Sequence, residues 1–353
     1  MKRLYYLSAA SFTQVDLGIL PLLSGIYKIT YASIMPARNN HVELNDIQNY
    51  CSANNIDFKA FFFKRRQRDI RLGFEFLTIL RDIRRSQPDI IYTISFDIPV
   101  LSVLCMTLSR KKTIIAIHDV EFHSRSKYAL FMKFARKITI SHFDSFQVFS
   151  KNQENVFRRK YPTKKLYTIP LSLGYYGEHK SYAAIQNLDY QDKIRFLFFG
   201  NILPYKGLRH LLTAVNKLSA KYSNFELIIA GQCNNWDNEY EPLIANNKAI
   251  TKMIHFIDSS AVPDLFLNAH YLVLPYSDAT QSGPLMIAYN FNLPVIASNI
   301  EAFREVMVEN TTGYLFETND PRGLENVLEA ALLREKDQYM KLRERLKEYV
   351  SLN

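Results

Sequence analysis

Short apolar runs alternate with helical segments along both halves of the chain. In the first half the runs are almost continuous in apolar and aromatic residues, as in strands that a parallel sheet buries on both faces. They predict strands at Arg3–Ser8, Tyr27–Ile34, Asp57–Phe63, Ile90–Ser95, Thr113–His118 and Ser145–Ser150. Between them, the spacing predicts helices at Leu72–Arg85, Pro99–Leu108 and Lys127–Ile138. This alternation predicts a doubly wound α/β domain.

The second half repeats the pattern with a further series of apolar runs. They predict strands at Ile194–Phe199, Phe225–Ala230, Met253–Ile257, Tyr271–Pro275, Pro294–Ser298 and Gly313–Phe316. The segments between them predict helices at Leu208–Tyr222, Val262–Asn268, Gly283–Asn290 and Ala302–Val308. Asp320-Pro321 predicts the start of a long final helix that runs to about Tyr349, since Asp is a favoured N-cap and Pro suits the first helical position.

The polar stretch Gly174–Lys193 is the predicted boundary between the two halves. With 353 residues, the chain has the length of about two domains. We therefore expect two Rossmann-like α/β domains facing a cleft, over residues 1–173 and 174–330, followed by a C-terminal helix over 331–353. In sheets of this kind, ligands bind at the carboxyl ends of the strands.

Composition narrows the class of protein. A hydrophobic fraction of 48% with 22% charged residues excludes a chain that is mainly disordered. The longest apolar stretch, Ile98–Ser109, contains Pro99 and is shorter than the roughly 20 residues of a membrane-spanning helix. The cysteines Cys51, Cys105 and Cys233 lack the spacing of a metal or redox site. The sequence therefore predicts a soluble, cytoplasmic protein.

The positive charge is concentrated in the first half of the chain. Residues 1–190 contain 28 Lys and Arg against 15 Asp and Glu, whereas residues 191–353 contain 16 against 19. The densest clusters are Lys64–Arg68, Arg81/Arg84/Arg85, Arg110–Lys112 and Arg158–Lys160. Any one cluster is compatible with a solvated helix end or loop. Four together favour an anionic partner, which could be a membrane surface, a lipid diphosphate or a nucleic acid.

A first candidate site follows the strand that ends at Phe199. Gly200-Asn201 leads through a short loop to Lys206-Gly207, where a helix begins. Such a loop offers backbone N–H groups, the positive end of a helix and one ammonium group to a phosphate. An ordinary strand-to-helix loop with a surface lysine would have the same spacing.

A second candidate site follows the strand that ends at Pro275. Its loop contains Thr280, Gln281 and Ser282, short polar side chains that suit sugar hydroxyls, and Ser282-Gly283 opens a helix. A capped helix after a turn, without a ligand, would also fit this pattern. If both loops bind ligand, they provide two anion-binding helix starts at the carboxyl ends of one sheet.

Taken together, these segments resemble the donor-binding domain of the family-4 glycosyltransferases, which have the GT-B fold. The resemblance rests on the order and spacing of four runs, "FLFFGNILPYKGLRHLLTA", "ELIIAG", "AVPDLFLNAHYLVLPY" and "PVIASNIEAFREVMVENTTGYLF". It covers roughly residues 194–330, and the first half is similar more loosely through "IIAIHDVEFH" and "SFQVFSKNQENVF".

The resemblance implies a role for each matching position. Lys206 corresponds to the lysine that contacts the donor diphosphate, and His118 to the residue that faces the donor sugar. The backbone at Ser282 and Gly283 would hold the distal phosphate. The remaining donor-binding positions are Gly200 and Asn201 at the first loop, Gly231, Gln232, Ile257 and Asp258 near the base, Thr280 and Gln281, and Glu305, which is expected to start or support a helix and could touch the ligand.

The sequence also departs from the family pattern. Most members have two glutamates in the helix-entry motif, and aligning on Pro294-Val295 puts Thr280 and Ile287 there. Asn201 stands where an arginine is usual. The run "SDATQSGPLMIAY" instead resembles a subgroup found in bacterial surface-polysaccharide clusters.

The implied activity is transfer of a sugar from a nucleotide diphosphate sugar, with retained anomeric configuration, to a glycan or polyprenyl-linked acceptor at the inner membrane face. The potential ligands in the run from His118 to His123 fix no coordination geometry, and we expect no metal and no cofactor.

Two rival interpretations remain open. Loss of both glutamates favours a catalytically silent scaffold subunit, whereas a pI near 9.3 would suit a nucleic-acid-binding protein, although no nucleic-acid module is recognisable.

Overall fold

The computed structural model describes residues 1–36, 44–63, 71–94, 104–120, 129–176, 193–244, 246–318, 320 and 322–352. The chain divides into two compact units, Met1–Tyr175 and Tyr176–Asn353. Each unit is built on one parallel sheet, which confirms the prediction of two Rossmann-like α/β domains.

The first unit contains a seven-stranded parallel sheet in the order β3-β2-β1-β4-β5-β6-β7. Its strands are β1 (Lys2–Ala9), β2 (Tyr27–Pro36), β3 (Ile56–Phe63), β4 (Ile90–Thr93), β5 (Thr113–Ala116), β6 (Ser145–Val148) and β7 (Lys165–Thr168). The helices are α1 (Thr13–Ser24), α2 (Leu44–Ala53), α3 (Leu72–Ser86), α4 (Ala129–His142) and α5 (Lys151–Lys160).

Alternate residues of β1 enter two different hydrophobic clusters. Tyr5 and Leu7 pack with α3, whereas Leu4 and Tyr6 pack with α1 and α2. Because successive side chains of a strand point to opposite faces, the sheet is covered on both sides. The order of strands reverses between β1 and β4, so a crevice between loops is expected at their carboxyl ends.

The second unit contains a six-stranded parallel sheet in the order β10-β9-β8-β11-β12-β13. Its strands are β8 (Ile194–Phe199), β9 (Phe225–Ala230), β10 (Ile250–Met253), β11 (Tyr271–Leu274), β12 (Val295–Ser298) and β13 (Gly313–Phe316). The helices are α6 (Leu208–Ser219), α7 (Trp236–Glu239), α8 (Glu241–Ile244), α9 (Val262–Leu267), α10 (Gly283–Asn290), α11 (Glu301–Arg304), α12 (Gly323–Leu332) and α13 (Lys336–Leu352). Here the order reverses between β8 and β11.

Several elements differ from the sequence-based prediction. The strand expected at Met253–Ile257 is β10 at Ile250–Met253, which starts three residues earlier, because the hydrogen-bonding partners of β9 are Ile250 to Met253. The half-polar edge strand β7 and the helices α1, α2 and α5 were not predicted. The helix predicted at Ala302–Val308 is confined to Glu301–Arg304.

The C-terminal helix is also two helices rather than one. It breaks between Leu332 and Lys336, so that the apolar faces of α12 and α13 both reach the core of the second unit. Pro321, the expected helix start, lies outside the described residues, as does the first half of the helix predicted at Pro99–Leu108. The contact-based division falls after Tyr175, and α13 belongs to the second unit.

Within the described residues, none of the helices combines the length and apolar composition needed to cross a membrane.

Candidate functional site

The loop after β8 is shaped by glycines at its two ends. Gly200 has φ +101° and Gly207 has φ +69°, and a single 3₁₀ turn, Pro204–Lys206, lies between them. A Cβ on Gly207 would overlap the carbonyl oxygen of Pro275, directly after β11. Glycine is therefore required at position 207 both by backbone conformation and by close packing.

The loops after β8 and β11 are joined to each other. In addition to the Gly207–Pro275 contact, the backbone N–H of Ser277 donates to the carbonyl oxygen of Tyr205 at 2.8 Å. The two candidate segments of the sequence therefore lie together, at the strand reversal of the second sheet. This is the position where sheets of this kind bind ligands.

Lys206 is a buried cation at this position. Lys206 is only 7% exposed, and its Nζ lies 3.1 Å from where a Cβ of Gly200 would stand. Burial lowers the pKa of Lys206 to about 8, and among the described residues no carboxylate offsets that effect. A buried ammonium group without a carboxylate is costly unless an anion reaches it.

Helix α10 begins next to the same point. The Ser282 Oγ caps it by accepting from the N–H of Leu285 at 3.3 Å, and Pro284 occupies its first turn. The Pro284 Cγ lies 3.6 Å from the Cβ position of Gly200, whereas nothing lies within 4 Å of the Cβ position of Gly283. The positive end of the helix and the Lys206 ammonium group are therefore neighbours, beside open space at Gly283.

The loop after β9 completes this part of the site. A Cβ on Gly231 would overlap the carbonyl oxygen of Gly200, and the N–H of Ile202 donates to the carbonyl oxygen of Gln232 at 2.9 Å. The backbones at the ends of β8 and β9 are thus in contact, and Gln232 is exposed beside them. Gly231 and Gln232 are the positions expected near the base from the sequence.

The other predicted donor-binding residues are distributed around these loops. Asn201 is exposed after Gly200, and Thr280 and Gln281 are half-buried in the loop before α10. Ile257 is half-buried and Asp258 exposed in the segment that follows β10. No described contact joins these last two to Lys206.

Glu305 has a different position from the one expected. It follows the last residue of α11, and its N–H donates to the carbonyl oxygen of Glu301 at 3.1 Å. It therefore ends a helix rather than starting one. Glu301 occupies the first helical position instead.

His118 lies at the carboxyl-end edge of the sheet in the first unit, two residues beyond β5. Its ring is flanked by Phe12 and Phe149, with centroids 6.0 and 6.1 Å away, and its side chain is 32% exposed. The Nδ1 lies 3.4 Å from the Oδ2 of Asp119, whose carbonyl oxygen accepts from Arg136. The imidazole is therefore held in place by rings and one carboxylate but remains accessible.

No group of three or more His, Cys, Asp or Glu side chains that could hold a metal ion occurs within the described ranges. Glu121 and His123 fall outside them. The expectation that the protein uses no metal therefore stays a prediction.

The basic clusters are partly neutralised. Arg110 pairs with Asp144 at 2.8 Å and Arg158 with Glu154 at 2.7 Å, and Arg84 donates to the Thr107 hydroxyl at 3.3 Å. The densest cluster, Lys64–Arg68, lies outside the described residues.

Sequence reasoning missed Tyr276. Its ring faces Lys206, with Nζ 5.4 Å from the ring centroid, and it is 2% exposed. Its position immediately after the apolar run Tyr271–Pro275 is the one signal in the sequence, since residues at strand ends line such sites.

Comparison with known proteins agrees with this geometry. Residues 183–351 match the family described as "Glycosyl transferases group 1". The matched residues cover nearly all of the second unit. A search of curated protein sequences gave no match.

Solved structures with the same fold cover nearly the whole chain. Sucrose-phosphate synthase of Thermosynechococcus elongatus is 15% identical with a TM-score of 0.71, covering 99% of this chain and 94% of its own. A glycosyltransferase of Rickettsia africae is 16% identical with a TM-score of 0.70, covering 100% and 94%. HepE of Anabaena, in complex with UDP-glucose, is 12% identical with a TM-score of 0.71, covering 100% and 95%. At these identities the similarity establishes the GT-B fold alone.

Proposed function

We propose that the chain is a retaining glycosyltransferase that moves a sugar from a nucleotide diphosphate sugar to a glycan or lipid-linked glycan in surface polysaccharide synthesis. The observation that carries the proposal is the buried ammonium group of Lys206, which no described carboxylate neutralises, at the strand reversal of the second sheet. A diphosphate supplies the anion that this group lacks.

The same group suits the chemistry of transfer. When the bond between sugar and phosphate breaks, negative charge grows on the β-phosphate. Lys206 and the first amides of α10 would stabilise that charge as it develops, and preorganised charges of this kind are usually the largest contribution to catalysis. These residues need no metal or cofactor to do so.

The donor is proposed to be a nucleoside diphosphate sugar because the loops after β8, β9 and β11 converge on one small cradle. HepE, which shares the fold, has been crystallised with UDP and with UDP-glucose. Gly231, Gln232, Ile257 and Asp258 are the proposed neighbours of the base, and Thr280 and Gln281 those of the sugar. Gly200 and Asn201 belong to the diphosphate cradle, and Glu305 is retained as a possible ligand contact.

His118 is proposed to contact the transferred sugar. Its accessible imidazole between two phenylalanine rings offers a hydrogen bond beside an apolar surface, which matches the mixed character of a pyranose. We assign no covalent nucleophile.

The acceptor is proposed to lie at an anionic membrane surface, since the first half of the chain has the excess of Lys and Arg. Vesicles with and without anionic lipid test this point. Binding to anionic vesicles should fade as salt rises, and charge reversal at Lys111 and Lys112 should weaken it. No binding to anionic vesicles even at low salt would favour a soluble acceptor, and equal binding to neutral vesicles would contradict the electrostatic attraction.

The main experiment is a thermal-shift screen against UDP, GDP, ADP and their common sugars, followed by donor turnover with crude lipid acceptor. A ligand that binds only the native state stabilises it, by about 2.7 kcal/mol when the free ligand concentration is 100 times Kd. The melting temperature therefore rises. Binding with turnover supports the enzyme. Binding without turnover supports the silent subunit, which Thr280 and Ile287 in place of the motif glutamates favour.

A further inference from the structure

Tyr276 is held rigidly beside the proposed diphosphate site. It follows Pro275 at the end of β11, and its ring packs against Tyr205 at 5.9 Å and Phe303 at 5.5 Å between centroids. With 2% of the residue exposed, it has little freedom to move. The Lys206 Nζ lies over its ring, 5.4 Å from the centroid.

The contact between the two residues is one between a cation and a neutral ring. Burial raises the pKa of the Tyr276 hydroxyl well above its usual range, so the side chain is not a phenolate. The face of an aromatic ring is the negative part of its quadrupole and attracts an ammonium group within about 6 Å. Attraction of this kind is strongest where water is excluded, as around Lys206.

A ring differs from a carboxylate in what it leaves for the ligand. A carboxylate beside Lys206 would neutralise its charge and would repel an incoming diphosphate. A ring carries no net charge, so it can orient the ammonium group and leave its full charge available. The described surroundings of Lys206 contain the ring and no such carboxylate.

Gly200 fits the same arrangement. The Lys206 Nζ is 3.1 Å from where a Cβ of Gly200 would stand, which is tighter than most contacts with a side chain. The Lys206 ammonium group therefore lies beside the space left by that glycine, within reach of the ring. This places the ammonium group between the ring, the end of β8 and the start of α10.

We propose that Tyr276 is a positioning residue, whose ring holds the Lys206 ammonium group in place for the donor diphosphate without neutralising it. The inference rests on the proposed function, and it assigns part of the donor affinity to a residue outside the motif positions.

Fluorination of the ring separates the ring quadrupole from packing. Wild type, Tyr276→Phe, Tyr276→pentafluorophenylalanine and Tyr276→Leu are compared by calorimetric titration with UDP, GDP and ADP at several pH values. We expect Tyr276→Phe to bind within about twofold of wild type, and the other two to bind about tenfold more weakly. Their affinity should also begin to fall at a lower pH than that of wild type, because Lys206 loses a group that stabilises its charge.

The control is Phe303→pentafluorophenylalanine, which fluorinates a neighbouring buried ring that faces no cation among the described residues. It should bind as wild type does. Folding is checked by fluorescence of the single tryptophan, Trp236, in the same unit. The fluorinated variant keeps the shape of the ring, so the test does not depend on Tyr276→Leu being folded.

Each outcome separates the inference from the function. Wild-type binding with unchanged affinity and pH dependence in the fluorinated and Leu variants would show that Tyr276 only packs, and the proposed function would stand. Equal losses in Tyr276→Phe and the fluorinated variant would assign the effect to the hydroxyl and overturn the inference. If wild type itself binds none of the three nucleotides, the proposed function fails and the inference with it.

Discussion

The two units share a strand order but treat buried charge in opposite ways. The first six strands of the first unit and all six of the second follow one order, with the third strand at one edge and the reversal between the first and fourth. In each unit a buried ionisable residue lies shortly after the first strand, either in the first turn of the following helix or just before that helix. In the first unit it is Asp16, and in the second it is Lys206.

Asp16 is satisfied from within the chain. Its carboxylate accepts from the Tyr6 hydroxyl at 2.9 Å and from the Tyr31 hydroxyl at 3.0 Å, although burial still raises its pKa to about 7. Lys206 is held by a ring and two glycine-containing loops, with no described carboxylate. The comparison indicates that one buried group is hydrogen-bonded within the fold, while the other is left for an external anion.

Removing the charge of Lys206 should produce the largest effect. We expect Lys206→Met to lower turnover by about 100- to 1,000-fold, the usual loss when one group that stabilises a developing anion is removed. Its melting temperature should be at least that of wild type, since the variant buries no uncompensated charge. Donor turnover and thermal unfolding measure the two effects.

The matched control is Lys248→Met. Lys248 is exposed and lies just before β10, at the amino ends of the strands of the same sheet. It should leave turnover unchanged. If Lys206→Met retains full turnover, the two buried charges are both structural and the contrast between the units fails.

His118 tests whether the first unit also contributes to transfer. We expect His118→Ala to lower kcat by about tenfold or more, since its proposed partner is the sugar, with little change in UDP, GDP or ADP affinity. The control is His142→Ala. His142 is the last residue of α4 and lies at the amino ends of the strands of the same sheet. An equal loss of nucleotide affinity in His118→Ala would make the histidine a structural residue.

The pH dependence of donor binding gives a smaller but sharper test. The pKa of Lys206 is lowered to about 8 in the free protein, and a bound diphosphate should raise it, because opposite charges favour the charged form. Affinity should therefore be constant below about pH 8 and fall above it, by up to tenfold per pH unit. The diphosphate is already ionised in that range.

Calorimetric titration between pH 7 and 10 measures this profile, and Lys206→Met should give a flat one. A wild-type profile that is also flat would mean that the ammonium group does not contact the ligand. A decline that starts well below pH 8 would indicate a different titrating group.

Much of the fold could be predicted because strands in a parallel sheet are continuous apolar runs. Ile194–Phe199, Phe225–Ala230 and Gly313–Phe316 coincide with β8, β9 and β13. Two of the four edge strands, β7 and β10, were harder to predict, since an edge is partly solvated and its pattern is weaker. That is why β7, with the sequence KLYT, was missed and β10 was displaced.

The site could be predicted only at the level of loops. The glycines and small polar residues after β8 and β11 indicated both loops, because the residue types within a loop largely determine its turns. The burial of Lys206 and the ring of Tyr276 depend on contacts between positions about 70 residues apart, such as Gly207 with Pro275. No local pattern records such packing, so the positioning role of Tyr276 was not foreseen.

Asp16→Asn should have the smallest effect. It should raise the stability of the folded protein, whereas a usual core substitution lowers it. The folded-state pKa of about 7 exceeds the unfolded value of about 3.9, so wild type loses stability as pH rises from about 4 to about 7. The amide cannot ionise and keeps an acceptor for Tyr6 or Tyr31. At pH 8 we expect Asp16→Asn to be more stable by on the order of 1 kcal/mol, with the gain shrinking at pH 5.

Hydrogen exchange of peptides from β1 and β2 reads the stability of the first unit directly, with variant and wild type compared at each pH. Asp89→Asn is the control of opposite sign, because the N–H of Arg3 donates to that exposed carboxylate at 2.8 Å and holds its pKa below the usual range. It should give no gain at pH 8. If Asp16→Asn is instead destabilised equally at both pH values, the carboxylate stabilises the folded unit even when ionised. Asp16 would then be fully compensated by its hydroxyl donors, and the contrast with Lys206 would be sharper than the pKa of Asp16 implies.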